Sequence, residues 1–377
     1  MDLRSREGDG LTLPSSPDRS MGKPREGLRS HTALRGIAAM TVLLGHLPIT
    51  GLFPRSSTTF YLCQFFSWNV EAVFLFFILS GFILNFVYGG APIRWRAFFV
   101  ARFARVYPVY ILTLLLALGN IFLSAAIREV PLPVSAGQVL ANVLMTQSWP
   151  LVYQDSINIP GWSLSVEAFL YLLVFPGLIL LRRRHTGLIA LLTVPCAAVA
   201  LWLQHDNGPL LDRLPGAYIL EGCSGFLIGF ALCQCVPNGV RSRFVDVASM
   251  LAVAAAILAF FDVLPKMALA LILPSIVAFT IDQGTFLSQA LSGRWLVFLG
   301  EISYSVYIWH WPIVLGLTHV WGVRSLGASE LDPAASLTSK VGYLASSVLL
   351  SLVVGALSYF FFEIPVRKRI RTAFQAW

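Results

Sequence analysis

The chain of 377 residues is 56% hydrophobic and only 12% charged, with a mean hydropathy of +0.73. A soluble domain carries about a quarter charged residues, so this composition excludes a soluble enzyme and predicts an integral membrane protein. The formal net charge of +8 is no sign of nucleic-acid binding, because the basic residues are scattered over short segments and not gathered on one domain.

In chain order, residues 1–31 are rich in Arg, Ser, Gly, Pro and Asp and read as a disordered cytoplasmic tail. A membrane domain over 32–368 and a short cytoplasmic tail over 369–377 follow. No cleavable signal peptide is expected, so the first apolar helix serves as the insertion signal. Apolar runs of about 20 residues fall near 33–52, 70–88, 106–126, 162–181, 186–203, 215–235, 245–261, 266–282, 294–318 and 341–365. The predicted fold is therefore all-α, a polytopic helix bundle with about ten transmembrane helices. With the N-terminus inside, 21 of the 27 lysines and arginines lie on the cytoplasmic side, which predicts both termini cytoplasmic and a multi-pass protein of the cell membrane.

The first span runs from Arg35 to His46 and puts a guanidinium and an imidazole on one apolar helix. Eleven residues make about three turns, so both side chains share a face roughly 17 Å apart along the axis. An ionisable group inside a span costs about 2.5–3.5 kcal/mol and is read by default as functional and inward-facing. The bland alternative is an interfacial Arg and a His satisfied by a backbone carbonyl. The second span opens with Glu71, which could hydrogen-bond His46, and carries Ser80-Gly81 at its middle. Small residues there allow a neighbouring helix or a ligand to approach the backbone.

The third span is entered through Arg94, Arg96, Arg102 and Arg105, the last two in Arg102-Phe-Ala-Arg-Val-Tyr-Pro108. Arg102 and Arg105 share one helical face, and two planar forks of donors suit phosphate oxyanions. Positive-inside anchoring is the alternative for any one of them. The fourth span begins with Pro160-Gly-Trp-Ser-Leu-Ser-Val-Glu167, placing Ser163 and Glu167 one turn apart. A lone Ser near a Glu is no nucleophile signature. Gly222, Gly225 and Gly229 in the sixth span read as close helix packing, and the five cysteines have no metal-type spacing. In the ninth span Ser303, Tyr307 and His310 form a single stripe. The tenth ends in Glu363-Ile-Pro365, and Glu363 is expected to pair with Arg35 or Arg102.

In this order, Arg35 to His46, Phe76-Phe-Ile-Leu-Ser-Gly-Phe82, Arg102 to Pro108, Trp162 to Glu167, Leu299 to Pro312 and Glu363-Ile-Pro365 resemble the membrane-bound acyltransferase 3 family over about residues 32–368. Members resembling this chain acylate exported carbohydrates or small molecules, usually from acyl-CoA. The resemblance implies His46 as the catalytic histidine, Arg35, Arg102 and Arg105 as donor-site residues, and Glu167 as a structural or site carboxylate. The family's Glu-Glu after the Trp-Ser-Leu motif is Glu167-Ala168 here.

The residues fit that chemistry independently, since acyl transfer to a hydroxyl needs a base near neutral pH and a site for an anionic donor. Glu71 or Glu167 could orient the imidazole, and Ser80, Tyr307 and His310 join the arginines as expected donor-binding residues. The expected donor is acyl-CoA, acetyl-CoA foremost, with no metal. The expected acceptor is a carbohydrate, a lipid-linked glycan or a small molecule, and the lipid bilayer is the surrounding partner. The alternative is a proton-coupled transporter using the buried His, Glu and Arg as a relay.

Overall fold

The computed structural model describes residues 28–52, 57, 69–90, 92–152, 154–184, 186–205, 216–236, 244–261, 263–281, 284–322, 325–327, 330–331 and 335–375. Its helices are α1 (Arg29–Gly45), α2 (Asn69–Tyr88), α3 (Trp95–Arg128), α4 (Ala136–Val143), α5 (Gly161–Phe169), α6 (Phe175–Arg184), α7 (Thr186–His205), α8 (Ala217–Cys235), α9 (Val245–Phe260), α10 (Leu269–Phe279), α11 (Phe286–Leu291), α12 (Arg294–Trp321), α13 (Leu337–Ser358) and α14 (Ile364–Gln375). One short antiparallel pair, Ser325–Gly327 with Glu330–Leu331, is the exception to the all-α expectation among the described residues.

Each of the ten predicted spans falls on a helix, but among the described residues five stretches are long and apolar enough to cross a membrane: Val70–Tyr88, Trp95–Arg128, Gly161–Leu181, Ala217–Cys235 and Leu337–Phe374. Helices α1, α9 and α10, of 17, 16 and 11 residues, are shorter than the ~20 residues that span a bilayer. Helix α12 has 28 residues but carries Arg294, Glu301, His310 and His319 among its apolar positions. The tail predicted over 1–31 lies outside the described residues up to residue 27, and α1 already begins at Arg29. Residues 369–375, expected as tail, continue α14.

The core forms where helices touch without side chains between them. Helix α1 packs along α12, and a Cβ on Gly300 would lie 1.8 Å from the Thr32 carbonyl oxygen, so only glycine admits this approach. Helix α2 packs along α8 in the same way, where a Cβ on Gly81 would run into the Phe226 carbonyl oxygen. Around these contacts Phe74, Phe77, Ile78, Phe82, Val166, Phe175, Phe226 and Phe230 make one apolar cluster. Helix α1 is also tied to α10, where Ser30 donates to the Thr280 carbonyl at 2.6 Å and His31 Nε2 to the Val277 carbonyl at 3.2 Å.

The segment between α3 and α5, which lies between two of the predicted spans, is held by side chains that satisfy its buried backbone. Tyr110 donates to the Asn142 carbonyl at 2.6 Å, Asn142 Oδ1 accepts from Ile157 N at 3.0 Å, and Gln147 Nε2 donates to the Gly161 carbonyl at 2.9 Å. Asn158 Nδ2 donates to the Ile308 carbonyl at 3.1 Å, which pins the start of α5 to α12. Buried backbone groups that lose such partners are costly. Asn142→Ala is therefore expected to destabilise the fold by about 1–3 kcal/mol, read as a lower thermal midpoint in detergent; an unchanged midpoint would show that this knot does not hold the segment.

Two π-helical turns, Leu170–Val174 and Tyr359–Glu363, interrupt the α5–α6 and α13–α14 runs. An extra residue in a turn rotates the side chains that follow and often marks a functional position. Here one turn contains Tyr171 and the other ends on the buried Glu363.

Candidate active site

Five helices converge on one partly open cavity of about 70 Å³. Its polar lining is Arg35 from α1, Ser80 from α2, Arg102 and Arg105 from α3, Ser163 and Glu167 from α5, and Tyr304 and Tyr307 from α12; Val73, Phe76, Phe77 and Leu164 form the apolar walls. Six of the sequence-predicted site residues, Arg35, Ser80, Arg102, Arg105, Glu167 and Tyr307, thus meet in one place.

Three guanidiniums face one carboxylate in this lining. Glu167 stands within electrostatic reach of Arg35 and Arg102 and accepts from the Tyr171 hydroxyl, whose oxygen also lies 3.1 Å from Ser80 Oγ. Tyr171, absent from the sequence reading, was findable as the residue one turn beyond Glu167. Arg102 lies between the Phe98 and Tyr171 rings, 5.6 and 5.7 Å from their centroids. Its Nε is buried with no hydrogen-bond partner among the described residues. A cationic lining with an unused donor suits an anionic ligand, since hydrogen bonds to charged oxyanions are the strong ones.

At the other end of the cavity wall, the Tyr307 and Ser163 hydroxyls lie 2.6 Å apart and share the Pro160 carbonyl at 3.1 and 3.0 Å. Tyr307→Phe is expected to cost about 0.5–1.5 kcal/mol of stability, measurable by chemical denaturation. A larger loss of turnover than of stability would indicate that the hydroxyl also meets substrate.

One turn further along α12 stands His310, fully buried. Its Nδ1 lies 2.6 Å from the Tyr307 carbonyl and its Nε2 lies 3.2 Å from His46 Nδ1, which in turn lies 2.9 Å from the Val42 carbonyl. A carbonyl only accepts, so both Nδ1 atoms carry hydrogens. His310 Nε2 then accepts from His46 Nδ1–H, and His46 Nε2 keeps its lone pair. The rings stack at 5.0 Å and 29°, with Trp311 edge-on to His46 at 5.7 Å. His46 is the C-cap of α1 and not an interior residue, because Pro48 two residues on disfavours helical geometry at Leu47.

Two expected pairings are replaced. Glu71 sits in the first turn of α2 and within electrostatic reach of Glu221 on α8, while both partners found for His46 Nδ1 lie elsewhere. Glu363 accepts from Ser305 at 2.8 Å and forms an ion pair with Arg367 at 3.6 Å, not with Arg35 or Arg102. Arg367 follows Glu363 at i, i+4 on the helix and is the cation it pairs with. Among the described residues no group of three or more His, Cys, Asp or Glu side chains could hold a metal ion.

The family model for an acyltransferase domain, acyltransferase 3, matches residues 30–360, which includes every helix lining the cavity. The chain belongs to the acyltransferase 3 family. This acyltransferase is 29% identical over 380 residues to the acyltransferase MdmB of Streptomyces mycarofaciens, covering 90% of this chain and 92% of that one. It is 23% identical to the peptidoglycan O-acetyltransferase OatA of Listeria monocytogenes over 91% of this chain and 56% of the relative, so it spans about half of that longer protein. The exopolysaccharide production protein ExoZ of Rhizobium meliloti is 26% identical over 81% of this chain and 92% of its own. No solved structure matches. The five apolar helices and the family mark this acyltransferase as a membrane protein.

Proposed function

We propose that this acyltransferase moves an acyl group, acetyl foremost, from cytosolic acyl-CoA to a hydroxyl of a carbohydrate or related acceptor. The observation that carries the reading is the shared wall: Tyr307 closes the arginine-lined cavity with its hydroxyl, and its carbonyl holds the histidine that orients His46. Arg35, Arg102 and Arg105 bind the donor's phosphates. The thioester arm runs inward past Ser80 and Tyr307, and His46 Nε2 serves as the base that takes the acceptor proton, or carries the acyl group itself. Glu167 holds the guanidiniums apart and in register, and Glu71 is left as a carboxylate on the acceptor side. The protein crosses the cell membrane several times with both termini cytoplasmic; with Arg35 near the cytoplasmic boundary, His46 lies roughly 17 Å further on and past the midplane of a core about 30 Å thick, so the acceptor is modified on the outer face.

Arg102→Ala and Arg105→Ala are each expected to weaken acyl-CoA binding by about 1.5–3 kcal/mol, the usual worth of a hydrogen bond to a charged group. Calorimetric titration of the purified protein with CoA is the measurement. CoA affinities unchanged in both variants would sink the donor assignment.

A further inference from the structure

The geometry points to a second, separate pocket as the seat of the acceptor, built to hold one sugar ring of a neutral saccharide. The inference rests on the acyltransferase reading above and adds the residues that recognise the acceptor. The pocket has a volume of about 260 Å³ and is lined by Ser148, Gln154, Asp155, Ser156, Trp162 and Tyr218. Liquid water takes ~30 Å³ per molecule, so the space has room for a single ring with its substituents.

Its chemistry is the complement of the arginine cavity. The Trp162 and Tyr218 rings pack against one another, 4.6 Å apart at 36°, and the part of this aromatic pair that lines the pocket is an amphipathic surface of the kind that packs against the apolar face of a pyranose. Around that platform stand side chains for hydroxyls. The Asp155 main-chain carbonyl is held by Gln138 and Asn142 at 3.2 and 3.0 Å, and its carboxylate makes no hydrogen bond or ion pair among the described residues. Ser156 Oγ is buried and has no hydrogen-bond partner among the described residues. A few polar groups converging on an apolar floor are the usual make-up of a small-molecule site. The lining contains a carboxylate and no Lys or Arg, which disfavours phosphate and any other anion.

The two pockets are neighbours through a single turn. Trp162 faces the outer pocket and Ser163, the next residue, lines the inner cavity and touches Tyr307. That turn is fixed from outside, since Ser148 Oγ donates to the Trp162 carbonyl at 3.1 Å and Ser165 Oγ accepts from Ser148 N at 3.1 Å. A ring seated on Trp162 therefore lies against the wall that closes the donor cavity.

The test uses the full chain in lipid nanodiscs and two neutral probes, a trimer of β-1,4-linked N-acetylglucosamine and methyl β-glucoside. Binding is read by saturation-transfer NMR without any acyl donor, beside CoA affinity. Asp155→Asn, Ser156→Ala and Tyr218→Leu are expected to weaken saccharide binding about tenfold, with CoA affinity within about twofold of the parent and, where transfer occurs, a raised KM at unchanged kcat. Preserved CoA affinity shows that the variants fold. Saccharide binding equal to the parent's in all three variants, or none by the parent for either probe, overturns the pocket assignment. Loss of saccharide binding in a protein that never turns over acyl-CoA would instead overturn the donor reading and leave the pocket standing.

Discussion

His46→Ala is expected to lower acyl transfer by roughly 10²–10⁴-fold, the range of a lost general base, while CoA binding at Arg102 and Arg105 stays within about twofold. The expectation follows from the tautomers: with His46 Nδ1–H committed to His310 Nε2 and the Val42 carbonyl, its Nε2 lone pair is the one free to take a proton. His310 acts through His46 and is a positioning residue. His310→Ala is expected to cost less, and His310→Gln, whose amide oxygen can accept from His46 Nδ1–H, to recover part of the loss. Groups that act as a unit are strongly non-additive, so the double variant should be no slower than His46→Ala alone. Single-turnover acetyl transfer measures all four proteins, and a double variant that is the product of the two single losses would sink the pairing.

Gly300→Ala is expected to be the most damaging conservative change in the bundle. Its Cβ would sit 1.8 Å from the Thr32 carbonyl oxygen and 2.4 Å from that carbonyl carbon. Backbone cannot step aside as the tip of a side chain can, so α1 must move away from α12. Overpacking typically costs about 1–3 kcal/mol, occasionally more, and the same displacement parts His46 from His310. The variant should lose both thermal stability and transfer, whereas Gly119→Ala, where a Cβ meets nothing within 4 Å, should lose neither. Fluorescence-detected size exclusion after heating gives the comparison, and a fully active Gly300→Ala protein would show that α1 and α12 are not held at this distance.

What could be read from the residues was the cost of polarity in an apolar setting. Arg35, Ser80, Arg102, Arg105, Glu167 and Tyr307 stood out because polar groups inside spans demand partners, and all six line one cavity. What could not be read was which partners they find. The contact between His46 and His310 depends on how closely two helices approach, and that is set by Gly300 against Thr32 at the opposite end of the pair. The partner of Glu363, by contrast, was legible, since Arg367 follows it at the ordinary i, i+4 spacing of a helix. Helix α4 escaped notice because its 8 residues are too few to form a persuasive periodic pattern. Its Ser135 cap, which accepts from Gln138 N, was the available signal.

His46 and His310 are 264 residues apart in the chain, which sets the order in which the protein becomes competent during its own synthesis. Helix α1 leaves the ribosome well before its counterpart α12 has been made, so over the 264 residues between them the nascent chain carries His46 without His310. Until then the groove that Gly300 will fill beside Thr32 is open, and α1 waits without its closest neighbour. A ribosome stalled before residue 300 should therefore leave an α1 that is labelled readily by a reagent directed at a cysteine placed at Leu43, which packs in one cluster with Ile302 and Val306 of α12, and labelling should fall once α12 has been inserted.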